Sequence, residues 1–98
     1  MTTLRITVPA SHDLEAISEY FLEKSVEAGE RFVQQFNQKC QHLARFPHIG
    51  KPYSQLRSGL RGLSIMDYII FYQIREDNIE ILRVVSGYRD LQNVFQDD

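Results

Sequence analysis

The sequence predicts an α+β fold with the element order β-α-α-β-β-β, in which the helices lie on one face of a mainly antiparallel sheet. Three observations lead to this prediction. A short alternation of apolar residues comes first, and two stretches with helical periodicity follow. Two strongly apolar runs, residues 68–74 and 79–85, come near the end. The 98 residues are predicted to form a single domain, 1–98.

The N-terminal half is predicted to be one strand followed by an antiparallel helical hairpin. Apolar residues alternate over residues 4–8 until Pro9, which ends the predicted strand. Ser11 is then a suitable N-cap for a first helix that ends near Ser25. A second helix follows almost at once and is predicted to end at Phe46, because the residue before a proline disfavours the helical region.

The two apolar runs are predicted to pair as a β-hairpin, because residues 76–78 between them are polar. With Asp77 and Asn78 as the centre of a type I′ turn, Arg75 faces Glu80, and the apolar positions behind them face one another. This register leaves both faces of the sheet apolar, whereas the two predicted helices cover only one.

Composition excludes several classes of protein. The net charge of −2 argues against a protein that binds nucleic acid with its whole surface, although residues 47–66 contain three cations and no acid. Cys40 is the single cysteine, so no internal disulfide forms and a reducing cytoplasm is expected. There is neither a membrane-spanning apolar stretch nor a signal-peptide pattern at the N-terminus.

No metal or cofactor is predicted. The three histidines share no metal-ligand spacing, and the chain has no glycine-rich phosphate loop. Cys40 lies on the apolar stripe of the second helix, so it is interpreted as a small core residue.

Four short segments occur in a characteristic order: PHIG at 47–50, YIIFY at 68–72, ILRV at 81–84 and SGYRD at 86–90. With the predicted element order, they resemble the RelE/ParE superfamily of small bacterial toxins over residues 4–95. The ending is most similar to that of the ParE branch, whose members often close with a similar glycine-X-arginine-aspartate segment.

The two branches imply different functions. RelE-like toxins cut mRNA in the ribosome and need cationic or acid–base side chains for that reaction. Arg89 falls where these enzymes carry one such arginine, but Phe95 stands where they carry a tyrosine and Ile69 where they carry another arginine. On the preceding strand only Arg61 is basic. The resemblance therefore implies a ParE-like inhibitor of DNA gyrase without catalytic residues, neutralised by a cognate antitoxin, with no direct binding of nucleic acid.

The resemblance and the apolar sheet together suggest two sets of binding residues. The candidates for contact with the target are Arg61, Arg83, Tyr88, Arg89 and Asp90. The candidates for contact with the antitoxin lie together on one predicted face of the sheet and are Ile69, Phe71, Leu82 and Val84, which a flexible partner segment would cover.

Three alternatives remain open. One is a ribosome-dependent RNA endonuclease that uses Arg61, Arg83 and Arg89, with His48 as a base. Another is a binding module of the same fold that has lost its toxicity. A homodimer, rather than a toxin–antitoxin hetero-oligomer, would also bury the apolar surface of the sheet.

Overall fold

The computed structural model describes residues 2–95 and confirms the α+β prediction. Five strands form one sheet in the order β1-β5-β4-β3-β2, in which β1 is parallel to β5 and the other pairs are antiparallel. The elements are β1 (Thr3–Ile6), α1 (Val8–Lys24), α2 (Val26–Arg45), β2 (Lys51–Pro52), β3 (Arg61–Ile65), β4 (Tyr68–Arg75), β5 (Asn78–Ser86) and α3 (Leu91–Val94). Within residues 2–95, no helix is both long and apolar enough to cross a membrane.

The helical hairpin begins earlier than predicted. Thr7, not Ser11, is the N-cap of α1, and its hydroxyl accepts a hydrogen bond from the Ala10 N–H at 3.4 Å. Pro9 lies within the first turn of α1. Its missing N–H costs no helical hydrogen bond, because the N–H groups of the first turn have no carbonyl within the helix to accept them. Ser25 alone connects the helices: it ends α1, and its Oγ accepts the Ala28 N–H at 3.0 Å to cap α2.

One face of the sheet packs against both helices and forms the larger part of the core. Phe32, Phe36 and Leu43 of α2, with Ile17 of α1, are buried there. The sheet contributes buried residues from three strands: Ile65, Ile70, Tyr72, Ile79, Ile81 and Val84. The apolar sides of the two predicted helices therefore pack against the predicted β-branched strands.

The predicted register of the β4–β5 hairpin is wrong: the turn is centred one residue earlier than predicted, which shifts the pairing beside it by two residues. Arg75 faces Asn78, and Gln73 faces Glu80, so the two turn residues are Glu76 and Asp77. Only Glu76 of the two has a positive φ, 53°, whereas a type I′ turn requires positive φ at both positions. Asn78 instead belongs to β5, where its side chain is hydrogen-bonded to the Thr3 hydroxyl of β1.

A β-bulge then changes which side chains share a face. Tyr72 faces Ile81, but the preceding residue Phe71 faces Arg83, so Leu82 is the extra residue of β5. Beyond the bulge, Val84 joins the helix-covered core, and Val85 lies on the opposite face with Phe71. The prediction that Val84 lies on the same face as Phe71 is therefore wrong, because strict alternation fails at a bulge.

The second face of the sheet is covered by the chain itself. Residues 53–60 and α3 lie over it and bring Tyr53, Leu56, Leu60, Leu91, Val94 and Phe95 against Phe71 and Val85. The Phe71 ring lies edge-to-face with Tyr53 at 5.1 Å and with Phe95 at 5.0 Å between centroids. The expectation that this face lacks cover is wrong, because the irregular segment 53–60 supplies apolar side chains that its sequence pattern did not reveal.

Candidate functional site

The connection from β5 to α3, residues 86–90, is the most exposed of the predicted target-binding segments, and we call it the exit turn. Its backbone is fixed at both ends. The Gly87 N–H donates to the Asp67 carbonyl at 2.9 Å, and the Arg89 N–H donates to the Ser86 carbonyl at 3.1 Å. The Tyr88 side chain is 87% exposed, and Arg89 is also exposed. Two large side chains therefore project from a backbone that is held in place.

Asp90 has a structural role at the end of the exit turn. It is the N-cap of α3, where its carboxylate accepts the Gln92 N–H at 3.2 Å and the Asn93 side-chain amide at 2.9 Å. Asp90 is not the ion-pair partner of Arg89, since the two ion pairs within residues 2–95 are Arg5–Glu80 and Arg83–Asp13. The Arg89 guanidinium is thus unpaired among the described residues.

Arg61 holds the loop that follows α2. Its Nη1 donates to the Gly50 carbonyl at 2.6 Å and to the His48 carbonyl at 3.2 Å. Tyr72 fixes the same loop from β4, since its hydroxyl donates to the Pro47 carbonyl at 2.7 Å and accepts the Gly50 N–H at 2.9 Å. A Cβ at Gly50 would lie 2.5 Å from the Tyr72 hydroxyl, so only glycine fits there. We call the two hydrogen bonds of the Tyr72 hydroxyl the clamp. The clamp explains why the PHIG segment ends in glycine.

Arg83 joins the start of α1 to the bulge in β5. Its guanidinium makes two hydrogen bonds to the Asp13 carboxylate, at 2.6 and 3.0 Å, and this carboxylate also accepts the Val84 N–H at 3.0 Å. Hydrogen bonding to Asp13 raises the pKa of Arg83 above its ordinary value. The Arg83 side chain is only 25% exposed. Such a two-point pair orients the helix against the strand.

The five target-binding candidates thus fall into two groups. Arg61, Arg83 and Asp90 have internal hydrogen-bond partners. Arg61 of β3 binds the loop after α2, whereas Arg83 of β5 binds α1. Tyr88 and Arg89 are the two whose side chains extend into solvent. This division is not visible in the sequence, because the partners of Arg61 and Arg83 are 11 and 70 residues away along the chain.

The predicted antitoxin-binding residues are less accessible than expected. Phe71 is 0% exposed and Val84 is 1% exposed, so neither presents surface to a partner in this structure. Ile69 and Leu82 are half-buried under the cover of the second face. In this structure the chain itself therefore already covers these sheet residues.

The helical hairpin has an exposed apolar groove that sequence analysis did not single out. Leu22 of α1 and Val33 of α2 are 51% and 46% exposed, and they line a shallow groove of about 410 Å³ with Gly29. A Cβ at Gly29 would lie 2.6 Å from the Leu22 Cδ2, so this glycine allows the helices to approach closely. The sequence contains one indication of this groove: Val33 lies at the margin of the apolar stripe of the second helix, where it can remain exposed.

Groups capable of nucleophilic or metal chemistry are few among the described residues. Burial raises the pKa of the Cys40 thiol to about 11, so it stays protonated and behaves as a core side chain. Within residues 2–95, no three histidine, cysteine or carboxylate side chains are grouped to hold a metal ion.

The fold and the exposed exit turn define a small α+β protein of a known type, in which a helical hairpin covers a mixed sheet. The chain is similar to a solved structure described as the chromosomal ParDE TA system from P. aeruginosa, with a TM-score of 0.74 and 22% identity. The match covers 88% of this chain and 96% of that one.

Two sequence comparisons identify the family. Residues 4–91 match the family model for the ParE toxin of type II toxin-antitoxin system, parDE. The chain is also 28% identical over 86 residues to Toxin ParE3 of Caulobacter vibrioides, covering 87% of this chain and 86% of that protein. The chain therefore belongs to the ParE toxin family of type II toxin–antitoxin systems, which confirms the resemblance found in its motifs.

Proposed function

We propose that this chain is a toxin that inhibits DNA gyrase in the cytoplasm and that a cognate antitoxin neutralises it. The observation that carries the proposal is the exit turn, where Tyr88 and Arg89 are exposed on a fixed backbone in a chain of the ParE family. An arginine and a tyrosine side by side are the residue types most enriched at the energetic centres of protein interfaces. The turn therefore suits recognition of a protein target.

The internal hydrogen bonds of two arginines argue against the alternative of an RNA endonuclease. Arg61 and Arg83 are bound to internal carbonyls and to Asp13, so neither is placed to stabilise a phosphate transition state. Phe95, at the position where the RelE branch carries a tyrosine, packs on Phe71 and under the Arg57 guanidinium. These contacts give Phe95 a packing role, and they favour a toxin that acts by binding.

The proposal is tested by controlled expression in a susceptible bacterium, with purified gyrase assayed in parallel. We expect growth arrest, and accumulation of gyrase-cleaved DNA when the purified chain is added to gyrase and plasmid. Arg89→Ala should abolish both effects while leaving the melting temperature within a few degrees of the parent, because an exposed arginine contributes little to stability. Arg75→Ala is the matched control, since Arg75 is also exposed but lies beside the β4–β5 turn.

The other outcomes separate the alternatives. Rapid mRNA cleavage with intact chromosomes would establish the endonuclease and refute gyrase inhibition. Normal growth at high expression of a folded protein would identify a binding module without toxicity. Full toxicity of a folded Arg89→Ala variant would remove this residue from the target-binding surface.

The groove between α1 and α2 is the better candidate for the antitoxin surface, and it replaces the sheet residues in this proposal. It is exposed and offers the apolar side chains of Leu22 and Val33 within a polar rim, whereas Phe71 and Val84 are buried. An amphipathic helix of the antitoxin would bury its apolar side in such a groove. Val33→Asp should therefore weaken antitoxin binding by more than tenfold without loss of toxicity.

The sheet prediction supplies the control for this experiment. Leu82→Ala alters a half-buried residue among the sheet residues that the sequence predicts for antitoxin binding. It should leave the affinity for the antitoxin unchanged when measured by titration calorimetry. Weaker binding by Leu82→Ala together with normal binding by Val33→Asp would return the antitoxin to the sheet.

A further inference from the structure

The charge of the chain is divided sharply along the sequence. Residues 31–66 contain no aspartate or glutamate, and they hold six of the 11 lysines and arginines with two of the three histidines. All 13 acidic residues lie elsewhere, with the other five cations. A segment with a formal charge of +6 is thus joined to a remainder of −8. The net charge of −2 conceals this division.

The second helix presents part of this basic segment as a continuous surface, which we call the glutamine–arginine stripe. Its six exposed residues recur at helical spacing along one side of α2: Arg31, Gln34, Gln38, Gln41, His42 and Arg45. The buried residues Phe32, Phe36 and Leu43 face the opposite way. At 1.5 Å per residue, the stripe is about 21 Å long.

The cations of the stripe have no carboxylate partner among the described residues. The two ion pairs within residues 2–95 use Arg5 and Arg83, which lie outside the basic segment. At the end of the stripe, Phe46 is 51% exposed. Its ring lies 5.3 Å from the His42 ring and 6.0 Å from the Arg45 guanidinium. Among the described residues, the stripe therefore has one arginine without a carboxylate partner at each end, and Arg45 lies beside a solvent-facing aromatic ring.

We propose that the glutamine–arginine stripe binds the sugar–phosphate backbone of DNA. Arginine and glutamine side chains are among those that contact phosphates in protein–DNA complexes, and such contacts need no particular base sequence. The acidic remainder of the chain is repelled by the same polyanion, so a surface within the basic segment, such as this side of α2, is the part that can face it. This revises the expectation that the chain does not bind nucleic acid directly.

An acidic polypeptide is the competing partner, and the composition of the stripe argues against it. Protein interfaces depend on apolar or aromatic anchors at their centre. The exposed residues of the stripe between Arg31 and Arg45 include none, and Phe46 lies only at its end. A regular polyanion requires only regularly spaced cations and hydrogen-bond donors, which the stripe provides.

The inference rests on the proposed function in one respect: an inhibitor bound to gyrase lies beside the DNA that the enzyme holds. The test, however, needs no gyrase. A labelled 20-base-pair duplex of arbitrary sequence is titrated with the purified chain at several salt concentrations, and Arg31→Gln/Arg45→Gln is compared with the parent. We expect about tenfold weaker binding at low salt, and a slope of log affinity against log salt that is reduced by about 2.

The matched control is Lys24→Gln/Arg75→Gln, which removes the same charge from outside residues 31–66. It should bind the duplex as the parent does, and thermal melting should show that both variants are folded. An equal loss in the control would mean that only the total charge matters and would overturn the proposal. Failure of the parent to bind the duplex at 20 mM salt, or equally tight binding of polyglutamate through the same two arginines, would also overturn it.

If the chain binds the duplex as expected but does not affect gyrase, the proposed function fails while the DNA surface stands. If gyrase is inhibited and the duplex is not bound, the opposite holds. The two proposals can therefore be rejected separately.

Discussion

The two faces of the sheet are both closed by apolar side chains, but their covers differ in kind. Two helices of 17 and 20 residues lie over one face and bury Phe32, Phe36 and Leu43 in a continuous interface. The other face is covered by the irregular segment 53–60 and by α3, which has four residues. A cover made of short pieces can open piece by piece, whereas a helical hairpin cannot leave the sheet without exposing the whole core. The two faces should therefore respond differently to the loss of one aromatic ring.

The largest effect is expected on the helix-covered face. Phe36 is 7% exposed, and its ring stacks near that of Phe32 at 6.4 Å. Phe36→Ala should lower the free energy of unfolding by about 3–5 kcal/mol, because it empties a large core position. Denaturant unfolding measures this loss, with Gln34→Ala on the exposed side of the same helix as the control. A loss below about 1 kcal/mol would place Phe36 on a surface.

A smaller effect is expected where Tyr72, a residue of the helix-covered face, binds the loop after α2. Tyr72→Phe removes the hydroxyl that binds the Gly50 N–H and the Pro47 carbonyl, and it leaves a buried donor unpaired. The free energy of unfolding should fall by about 1–3 kcal/mol. Tyr68→Phe is the matched control, since no hydrogen bond joins its hydroxyl to the described residues and its ring packs on Phe21 and Phe32. Equal losses in the two variants would show that the clamp contributes nothing.

The irregular cover should give a local response. Phe95→Ala removes a half-buried ring from Phe71, so a loss of about 1–2 kcal/mol is expected, less than for a fully buried ring. Amide hydrogen exchange should speed up in residues 53–60 and 91–94 and remain slow in α2. Gln92→Ala, at an exposed position of α3, is the control. Faster exchange throughout the protein would mean that the two faces unfold as one unit.

The difference between the faces also explains what the sequence could predict. The helical hairpin, the β-α-α-β-β-β order of elements along the chain and the apolar core followed from periodicity, which is a local property. The register of β4 and β5 did not, since it depends on Asn78 joining β5 beside β1 and on the bulge at Leu82. Nor did the cover of the second face, since residues 53–60 have no period and their contacts are made with distant strands.

The candidate site also divides into residues whose exposure the sequence predicts and residues whose contacts it does not. Tyr88 and Arg89 follow directly from the motif at the end of β5, and they are exposed as a binding segment requires. Only their charge makes Arg61 and Arg83 candidates in the sequence. Their roles are set by the carbonyls of the loop after α2 and by Asp13, all distant in sequence. A charge can be read from a sequence, but its partner is a property of the fold.

The smallest effect is expected where the loop-covered face becomes polar. Beyond the reach of α3, Glu80 binds the Arg5 guanidinium and accepts a hydrogen bond from the Gln73 amide at 2.9 Å. The Arg5 hydrogen bond is the largest of the effects that lower the pKa of Glu80 below its ordinary value of 4.5, and the Gln73 hydrogen bond is the next. A carboxyl group whose pKa is lowered on folding stabilises the protein above its ordinary pKa. That contribution is lost as the pH falls through the lowered pKa.

Glu80→Gln keeps the shape of the side chain and removes its charge, so it isolates this contribution. The parent should melt at a higher temperature than the variant at pH 7, and the difference should shrink as the pH is lowered below 4.5. Glu76→Gln at the exposed turn is the control, and its melting temperature should follow that of the parent at every pH. A difference between parent and Glu80→Gln that stays constant down to pH 2 would assign the stabilisation to hydrogen-bond geometry. In that case the polar end of the face would be held, like its apolar part, by packing and shape and not by charge.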